Sequence, residues 1–275
     1  MAGYERLRTY VQTGAAILQN SYFFKDLKFC PTPALNCYAC PLAVTACPMG
    51  SLQNLIIKGY LPLAIIGFLV SIGALIGRAA CGWLCPFGFI QDLLAKVKVR
   101  KFSISNGHGW TRYAVLLLLA VLAPMVVGQP IFCKICPAGT LEAGLPLVIA
   151  DPSIRSMAGL LFVLKVLILI AVIAAAVYVK RPFCRFLCPL GAIYSPFNRV
   201  SALQMKVGSR CISCGACKSV CPMDMAIYKE PASGVCIRCM ACTSCAAVGA
   251  SFMGKDLIKA DREGKIAWAA FKKQE

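Results

Sequence analysis

One stretch of this sequence limits the possible folds more than any other. Residues 157–179 form an almost unbroken aliphatic segment, and about 20 apolar residues are what an α-helix needs to cross the hydrocarbon core of a bilayer. The rest of the chain agrees, because 59% of its 275 residues are hydrophobic, against about 45–50% in soluble domains. Intrinsic disorder is excluded on the same ground. The sequence therefore predicts a mainly α-helical membrane protein.

Three more segments are candidates for membrane spans. Residues 55–77 and 112–130 are apolar, whereas the stretch that begins at Leu7 is interrupted by Gln12 and Gln19. No small-residue cleavage site follows that first stretch, so we interpret it as a polar span rather than a signal peptide. The prediction is a four-helix transmembrane domain within residues 1–200, with spans at 7–24, 55–77, 112–130 and 157–179.

The positive charges indicate an orientation for these spans. The chain has 29 Lys and Arg residues against 11 Asp and Glu, a net charge of +18. If the N-terminus is cytoplasmic, most of the 29 fall in segments on the cytoplasmic side, as the positive-inside rule requires. We therefore expect a multi-pass protein of the cytoplasmic cell membrane, with its N-terminus and C-terminal region in the cytoplasm. A nucleic-acid-binding face would not confine its charges to alternate loops, so no nucleic-acid partner is expected.

The cysteine content points to a class of cofactor. Eighteen cysteines stand beside a single histidine. Zinc sites often combine cysteine with histidine, and disulfide scaffolds are short and secreted. So many cysteines in an apolar, basic chain favour iron–sulfur clusters bound at a membrane.

The C-terminal cysteines resemble the double run of bacterial two-cluster ferredoxins. The first run has the spacing Cys-x2-Cys-x2-Cys-x3-Cys-Pro, and the second departs from it only in a shorter last gap and in Ala246 in place of proline. The resemblance implies an α+β ferredoxin domain over residues 201–254, followed by a tail over 255–275. It also implies that the fourth cysteine of each run binds the other cluster. Cluster 1 would have Cys211, Cys214, Cys217 and Cys245 as ligands, and cluster 2 would have Cys221, Cys236, Cys239 and Cys242. Two zinc knuckles are the alternative, although zinc runs lack this triple-cysteine spacing.

The membrane part contains an internal repeat. Each half reads Cys-x2-Cys-Pro, then a span, then Arg-x2-Cys-x3-Cys-Pro-x-Gly, with Arg78 and Arg181 as the two arginines. This pattern indicates two duplicated two-helix units. Four cysteines would then meet at each membrane face, which is the ligand count of a [4Fe–4S] cluster. The inner site would contain Cys81, Cys85, Cys184 and Cys188. The outer site would contain Cys37, Cys40, Cys133 and Cys136.

Other interpretations of the membrane cysteines stay open at this point. Cys47 begins another Cys-Pro-x-Gly element and is a substitute candidate for one outer ligand. The outer cysteines could form disulfides if they face an oxidising space. The inner ones could be redox-active thiols or copper ligands. The expected cofactors are therefore two [4Fe–4S] clusters in the ferredoxin domain and up to two more in the membrane domain.

The motifs GRAACGWLCPFG and RPFCRFLCPLGAIY, followed by a two-cluster ferredoxin run, resemble those of the NapH-type membrane polyferredoxins. This resemblance covers the last three spans and the ferredoxin domain. It implies four spans, two cytoplasmic [4Fe–4S] clusters, and electron exchange with the quinone pool. The segment NCYACPLAVTACPMG and the Cys133/Cys136 pair depart from the nitrate-system members, which favours a branch with extra clusters.

Two single residues are candidates for contact with a quinone or a cluster. Lys165 lies within the fourth span, where a charged side chain is a functional candidate by default; snorkelling to the interface is the alternative. His108 lies at the cytoplasmic edge of the third span, and an imidazole is suited to accepting a quinol proton; the alternative is a solvated loop residue without a role. No phosphate-binding loop or dinucleotide fingerprint accompanies them, and no catalytic residue is assigned.

Two classes of function fit these features. In the first, the protein is an electron-transfer subunit of a quinone-linked oxidoreductase, working in a hetero-oligomeric complex with redox proteins on the cytoplasmic side. In the second, it is an assembly factor or metalloreductase that reduces a metal or disulfide on another protein. The second class would favour a patch of methionine and histidine that selects a metal. The chain has one histidine and no methionine-rich outer loop, so the first class is preferred.

Overall fold

The structure is a computed structural model that describes residues 2–21 and 25–261. Tyr22–Phe24, at the end of the first predicted span, and Arg262–Glu275, most of the predicted tail, lie outside the described residues. The longer helices of the described part are Ala2–Gln19, Pro48–Ile57, Leu63–Ile76, Pro86–Leu94, Gly107–Val127, Pro137–Ala150 and Leu160–Tyr178. Short helices include Ala79–Trp83, Ile131–Ile135, Pro152–Ser156, Pro182–Phe186 and Pro189–Tyr194.

Two described helices are long and apolar enough to cross a membrane, Gly107–Val127 and Leu160–Tyr178. They correspond to the third and fourth predicted spans. The second predicted span is not one helix: Pro48–Ile57 ends before Gly59, which has φ +72, and Leu63–Ile76 begins after Pro62. Proline cannot continue a preceding helix, and a positive φ suits glycine. The expectation of a continuous helix over 55–77 is therefore wrong.

Every Cys-Pro dipeptide that is followed by x-Gly begins a helix. The cysteine is the N-cap in an extended conformation, and the proline is the first helical residue, where its missing N–H costs nothing. This local rule places four cysteine side chains at helix N-termini, with the free amides of the first turn behind them. The four N-cap residues are Cys47, Cys85, Cys136 and Cys188.

The polar residues of the N-terminal helix Ala2–Gln19 are buried against one of these motifs. Arg8 Nε and Gln12 Nε2 both donate to the Gly82 carbonyl, at 2.9 and 3.0 Å, and Gln19 Nε2 donates to the Leu84 carbonyl at 2.9 Å. An irregular backbone at membrane depth is tolerated only where protein groups satisfy it. The polar residues that interrupt the first apolar stretch are thus the ones that donate hydrogen bonds to the backbone between Cys81 and Cys85.

The C-terminal domain contains a three-stranded antiparallel meander: β1 (Leu203–Val207), β2 (Val248–Phe252) and β3 (Lys255–Ile258). Strand β3 lies beyond residue 254, where the sequence suggested that the domain ends. The Met253–Gly254 turn returns the chain onto β2, so the sheet continues to Ile258, which is buried. The predicted boundary at 254 is therefore four residues short.

Candidate metal centres

The inner set of cysteines comes together where the two halves of the membrane part meet. Cys81 lies in the short helix Ala79–Trp83 and Cys184 in the equivalent helix Pro182–Phe186. Cys85 and Cys188 are the N-caps of the helices that follow. All four side chains are buried. Each thiol interacts electrostatically with members of the other pair. The structure thus brings together the four residues that the sequence assigned to one inner site.

Two buried arginines cross between the halves at this site. Arg78 donates to the Cys184 carbonyl at 3.0 Å, and Arg181 donates to the Cys81 carbonyl at 3.0 Å. The space that these two arginine side chains occupy depends on the glycines of the Cys-Pro-x-Gly elements. A Cβ on Gly191 would lie 2.8 Å from an Arg78 nitrogen, and a Cβ on Gly88 would lie 3.1 Å from an Arg181 nitrogen. The motif glycines and arginines therefore form one reciprocal arrangement.

Backbone and side-chain N–H groups point at the inner sulfurs. The Gly88 amide lies 3.4 Å from Cys85 Sγ, and the Gly191 amide lies 3.3 Å from Cys188 Sγ. Gln91 Nε2 lies 3.3 Å from Cys184 Sγ. Donors of this kind stabilise a thiolate and the negative cluster that it binds.

The outer set differs from the predicted one in a single residue. A small, mostly enclosed cavity is lined by Cys37, Cys47, Cys133 and Cys136, and these four thiols interact electrostatically with one another. Cys40 does not line this cavity. It packs against Ala43 and Ala143 beside Cys37, with its Sγ near Asn20. The substitute candidate Cys47 thus stands where Cys40 was expected, because Cys47 rather than Cys40 begins a helix through its Cys-Pro-x-Gly element.

The surroundings of the outer cavity resemble those of the inner site. Gln53 Nε2 lies 3.3 Å from Cys133 Sγ, in the role that Gln91 has at Cys184. Glu142 accepts a hydrogen bond from the Cys37 amide at 2.7 Å. Lys165 is half-buried on the helix Leu160–Tyr178 and lies close enough for its charge to act on Cys133. Among the two single-residue candidates, Lys165 therefore faces a cysteine site, whereas His108 is exposed.

The ferredoxin domain groups its cysteines around two centres. A narrow enclosed cavity is lined by Cys217 and Cys221 of the first run and by three cysteines of the second run, Cys236, Cys239 and Cys242, together with several methionines. Cys217 interacts with Cys211 and Cys214 of its own run. Cys217 also faces Cys242, so the two groups are adjacent. Cys221 therefore lies with the second run, as the bacterial ferredoxin resemblance implies.

The ferredoxin domain lies directly on the inner site. A Cβ on Gly82 would be 2.4 Å from the Ile237 carbonyl oxygen, so the two backbones are in contact. Trp83 Nε1 donates to the Arg238 carbonyl at 3.0 Å, and Arg78 donates to the Gly234 carbonyl at 2.8 Å. Arg78 therefore joins the inner site to the loop that carries Cys236.

The inner and outer sites are also neighbours. Leu35 lines the outer cavity, and its amide donates to the Cys85 sulfur of the inner site. Tyr194 is fully buried and interacts with Cys81 of the inner site and Cys47 of the outer one. A single residue, Leu35, thus contacts both sites. The two sites are therefore closer together than the full bilayer thickness that their predicted positions at opposite membrane faces suggested.

Four polar side chains around these sites were not predicted from the sequence. They share one offset: each stands six residues after the cysteine of a Cys-Pro-x-Gly element, so the helix turns it toward the first cysteine of the opposite half. Aligning the four elements on their cysteines would have revealed them. The four residues are Gln53 near Cys133, Gln91 near Cys184, Glu142 near Cys37 and Tyr194 near Cys81.

The donor chemistry fits iron–sulfur clusters. Within residues 2–21 and 25–261, no three Cys, His, Asp or Glu side chains are close enough to hold a single metal ion. Tetrahedral zinc would bring its thiolates within about 4 Å of one another, whereas a cubane holds its four thiolates farther apart. Burial raises the pKa of the Cys85 thiol, and Cys184 and Cys81 raise it further. These thiols therefore need a bound cation to persist as thiolates.

An ion-pair network holds the N-terminal helix to both halves of the inner site. Asp92 pairs with Arg8, and it accepts from Arg181 Nε at 2.7 Å. Burial by itself would raise the pKa of Asp92, but the positive charges of Arg181 and Arg8 lower it below its ordinary value. Because the pKa is lowered on folding, this contribution to stability is complete above the unfolded-state pKa of about 4 and is lost as the pH falls through the folded-state pKa.

Replacing Asp92 with asparagine should destabilise the protein strongly. Arg181 would keep its buried charge without a carboxylate partner, a change that costs about 3–5 kcal/mol in other proteins. The measurement is thermal unfolding of the detergent-solubilised protein. Asp256→Asn is the matched control, because the Lys206–Asp256 pair (2.8 Å) is exposed and is worth about 1 kcal/mol or less. Equal losses of stability in the two variants would contradict a structural role for Asp92.

Comparison with known proteins identifies relatives that match most of the chain. The family described as "4Fe-4S binding domain" matches residues 58–105, 111–145 and 161–209. An uncharacterised protein of Methanocaldococcus jannaschii is 31% identical over 210 residues, which cover 72% of this chain and 82% of that protein. The ferredoxin-type protein NapH of Haemophilus influenzae is 27% identical, over 74% of this chain and 71% of its own length. The putative electron transport protein YccM of Escherichia coli is 23% identical, over 72% and 57%. No solved structure matches the chain.

Proposed function

The chain belongs to the NapH-type polyferredoxin family of iron–sulfur electron-transfer proteins, and on that premise we propose that it is a membrane-embedded relay with four [4Fe–4S] clusters. Such clusters accept and release single electrons. The relay would connect the quinone pool, or the outer face of the membrane, with a soluble redox partner in the cytoplasm. Its parts would be the outer site, the inner site, cluster 2 and cluster 1, in that order.

One observation carries this proposal: the four cysteine groups follow one another without a gap. Tyr194 and Leu35 lie between the outer and inner groups. Arg78 and the contact of Gly82 with Ile237 join the inner group to the loop of Cys236. Cysteine groups with unrelated structural roles would have no reason to lie next to one another in a continuous row. The electron-transfer class of function is therefore favoured over the assembly-factor class.

The same geometry supports an arrangement in the membrane. We assign the helices Gly107–Val127 and Leu160–Tyr178 to full spans. The N-terminal helix and the short apolar helices Leu63–Ile76 and Pro137–Ala150 complete the membrane domain, as two related halves around the inner site. Their shortness brings the outer site toward the centre of the bilayer, since a 14-residue helix spans only about 21 Å. The positive-inside rule then places the ferredoxin domain in the cytoplasm.

Sealed vesicles made from quinone-free lipid test the relay. They would enclose ferricyanide as a membrane-impermeant oxidant, with dithionite added outside as reductant. The wild-type protein should bleach the enclosed ferricyanide, since its sites offer a path through the bilayer. Vesicles without protein are the control for leakage. A bleaching rate equal to that control would contradict a relay across the membrane.

The quinone connection needs a separate measurement. Anaerobic mixing of the oxidised, detergent-solubilised protein with a short-chain quinol should bleach the visible absorbance of its clusters. The same protein mixed with dithionite gives the full amplitude for comparison. If dithionite bleaches the clusters and quinol does not, reduction of the protein by quinol is ruled out, whereas the relay itself would stand.

A further inference from the structure

The inner and outer sites have the same plan but different polar surroundings. Each is built from two Cys-Pro-x-Gly elements, and each receives one glutamine amide at 3.3 Å from a cysteine sulfur, from Gln91 or Gln53. The difference lies in the other residue at each site that stands six positions after the cysteine of a Cys-Pro-x-Gly element. It is Tyr194 at the inner site and Glu142 at the outer site. This pair makes the two sites distinguishable by their hydrogen bonds.

Tyr194 offers the inner site a donor that has no other use. Its side chain is fully buried, with a relative solvent exposure of 0%. Its hydroxyl has no hydrogen-bond partner in the described part of the chain. Of the two sulfurs whose charge acts on Tyr194, Cys81 of the inner site has the larger effect and Cys47 of the outer site the smaller. A buried hydroxyl without a partner is costly, so a hydrogen bond from Tyr194 to a thiolate or cluster sulfide is the expected use of this group. Glu142, in contrast, uses one oxygen to accept from the Cys37 amide.

The buried cations also favour the inner site. Arg78 is fully buried beside Cys81 and donates to backbone carbonyls, and no carboxylate pairs with it among residues 2–21 and 25–261. Arg181 lies on the other side of the same site and shares Asp92 with Arg8. At the outer site the corresponding cation is Lys165, which is only half-buried. One cation therefore acts on the outer site through Cys133, whereas two act on the inner site through Cys81.

Reduction adds one negative charge to a cluster and its thiolates. Donors and cations close to the sulfurs stabilise that charge, which raises the reduction potential. We propose that the inner site has the higher reduction potential of the two, so that an electron passes from the outer site to the inner site and on toward the ferredoxin domain. The outer cluster is oxidised by one electron in this step, and the inner cluster is reduced by one. The inference rests on the proposed function, since both sites must hold clusters.

Redox titration of the purified, full-length protein, followed by electron paramagnetic resonance, tests this order. Iron content and the spectra of Cys85→Ala/Cys188→Ala and Cys47→Ala assign a resonance to each site. The inner resonance should appear first as the ambient potential is lowered. If the outer resonance appears first, the inference is wrong. If the wild-type protein lacks either resonance and the matching iron, both the inference and the four-cluster function are wrong.

Two matched variants test the residues themselves. Gln91→Leu should reduce the ratio of reduced to oxidised inner cluster about tenfold at a fixed potential near its midpoint, equal to ~59 mV for one electron, and leave the outer ratio unchanged. Gln53→Leu should do the reverse. Gln91→Glu keeps the shape of the side chain, and it should lower the inner ratio at least as much, which covers the case in which the leucine variant fails to fold. Unchanged ratios in loaded Gln91→Glu protein would overturn the role of this residue.

Discussion

Replacing Cys47 with alanine should remove one whole cluster from the protein. Cys47 lines the outer cavity together with Cys37, Cys133 and Cys136, and a cubane that loses one of four thiolates at a buried site has no water-exposed position in which to find another ligand. We expect the iron content to fall by about four per chain, since each cubane contains four iron atoms. Metal analysis and acid-labile sulfide would both show the loss.

Cys40 supplies the matched control for this prediction. It is a buried cysteine of the same segment and a neighbour of Cys37, but it does not line the outer cavity. Cys40→Ala should therefore keep the full iron content, with at most a modest loss of stability from the missing sulfur. If Cys40→Ala loses iron and Cys47→Ala does not, the outer ligand set given by the simple Cys-x2-Cys spacing is correct, and the one proposed from the structure is wrong.

The second large effect is expected at the inner site. Cys85→Ala combined with Cys188→Ala removes both N-cap sulfurs that accept the Gly88 and Gly191 amides. Compared with the wild-type protein, this variant should lose about four iron atoms per chain. It should also no longer transfer electrons across the vesicle membrane, because the inner site lies between the outer site and cluster 2.

The ferredoxin domain should survive this double replacement. Five of its eight cysteines line a separate cavity, and its three-stranded sheet does not involve the changed residues. Electron paramagnetic resonance of the dithionite-reduced variant should still show the interacting pair of clusters in that domain. An unchanged iron content in the double variant would contradict an inner cluster, and a complete loss of iron would show that the whole protein fails to fold.

Much of this arrangement can be predicted from the sequence, because the motifs act locally. A Cys-Pro-x-Gly element sets a helix N-terminus by itself, and the Arg-x2-Cys spacing puts Arg78 and Arg181 next to their cysteines. The inner set follows from such spacings, whereas the place of Cys221 beside the second run is what the ferredoxin resemblance implies. The long apolar helices follow from composition alone, as Leu160–Tyr178 illustrates.

The rest depends on packing between the halves, which spacing does not reveal. Cys37 and Cys40 have the more familiar spacing, yet the helix that begins after Cys47 decides which sulfur reaches Cys133. The distance between the inner and outer sites could not be predicted either, since Leu35 passes between them only in the folded chain. The polar residues Arg8 and Gln12 look unfavourable in a span until their partner, the Gly82 carbonyl, is known.

The most direct test of the four-cluster relay is the quantity of iron and acid-labile sulfide per chain in protein purified without oxygen. Four cubanes require about 16 of each, since a cubane contains four iron atoms and four sulfides, and that is the result we predict. About eight of each would place clusters in the ferredoxin domain alone. The membrane cysteines would then have to be thiols, disulfides or sites for another metal, and the relay would be contradicted.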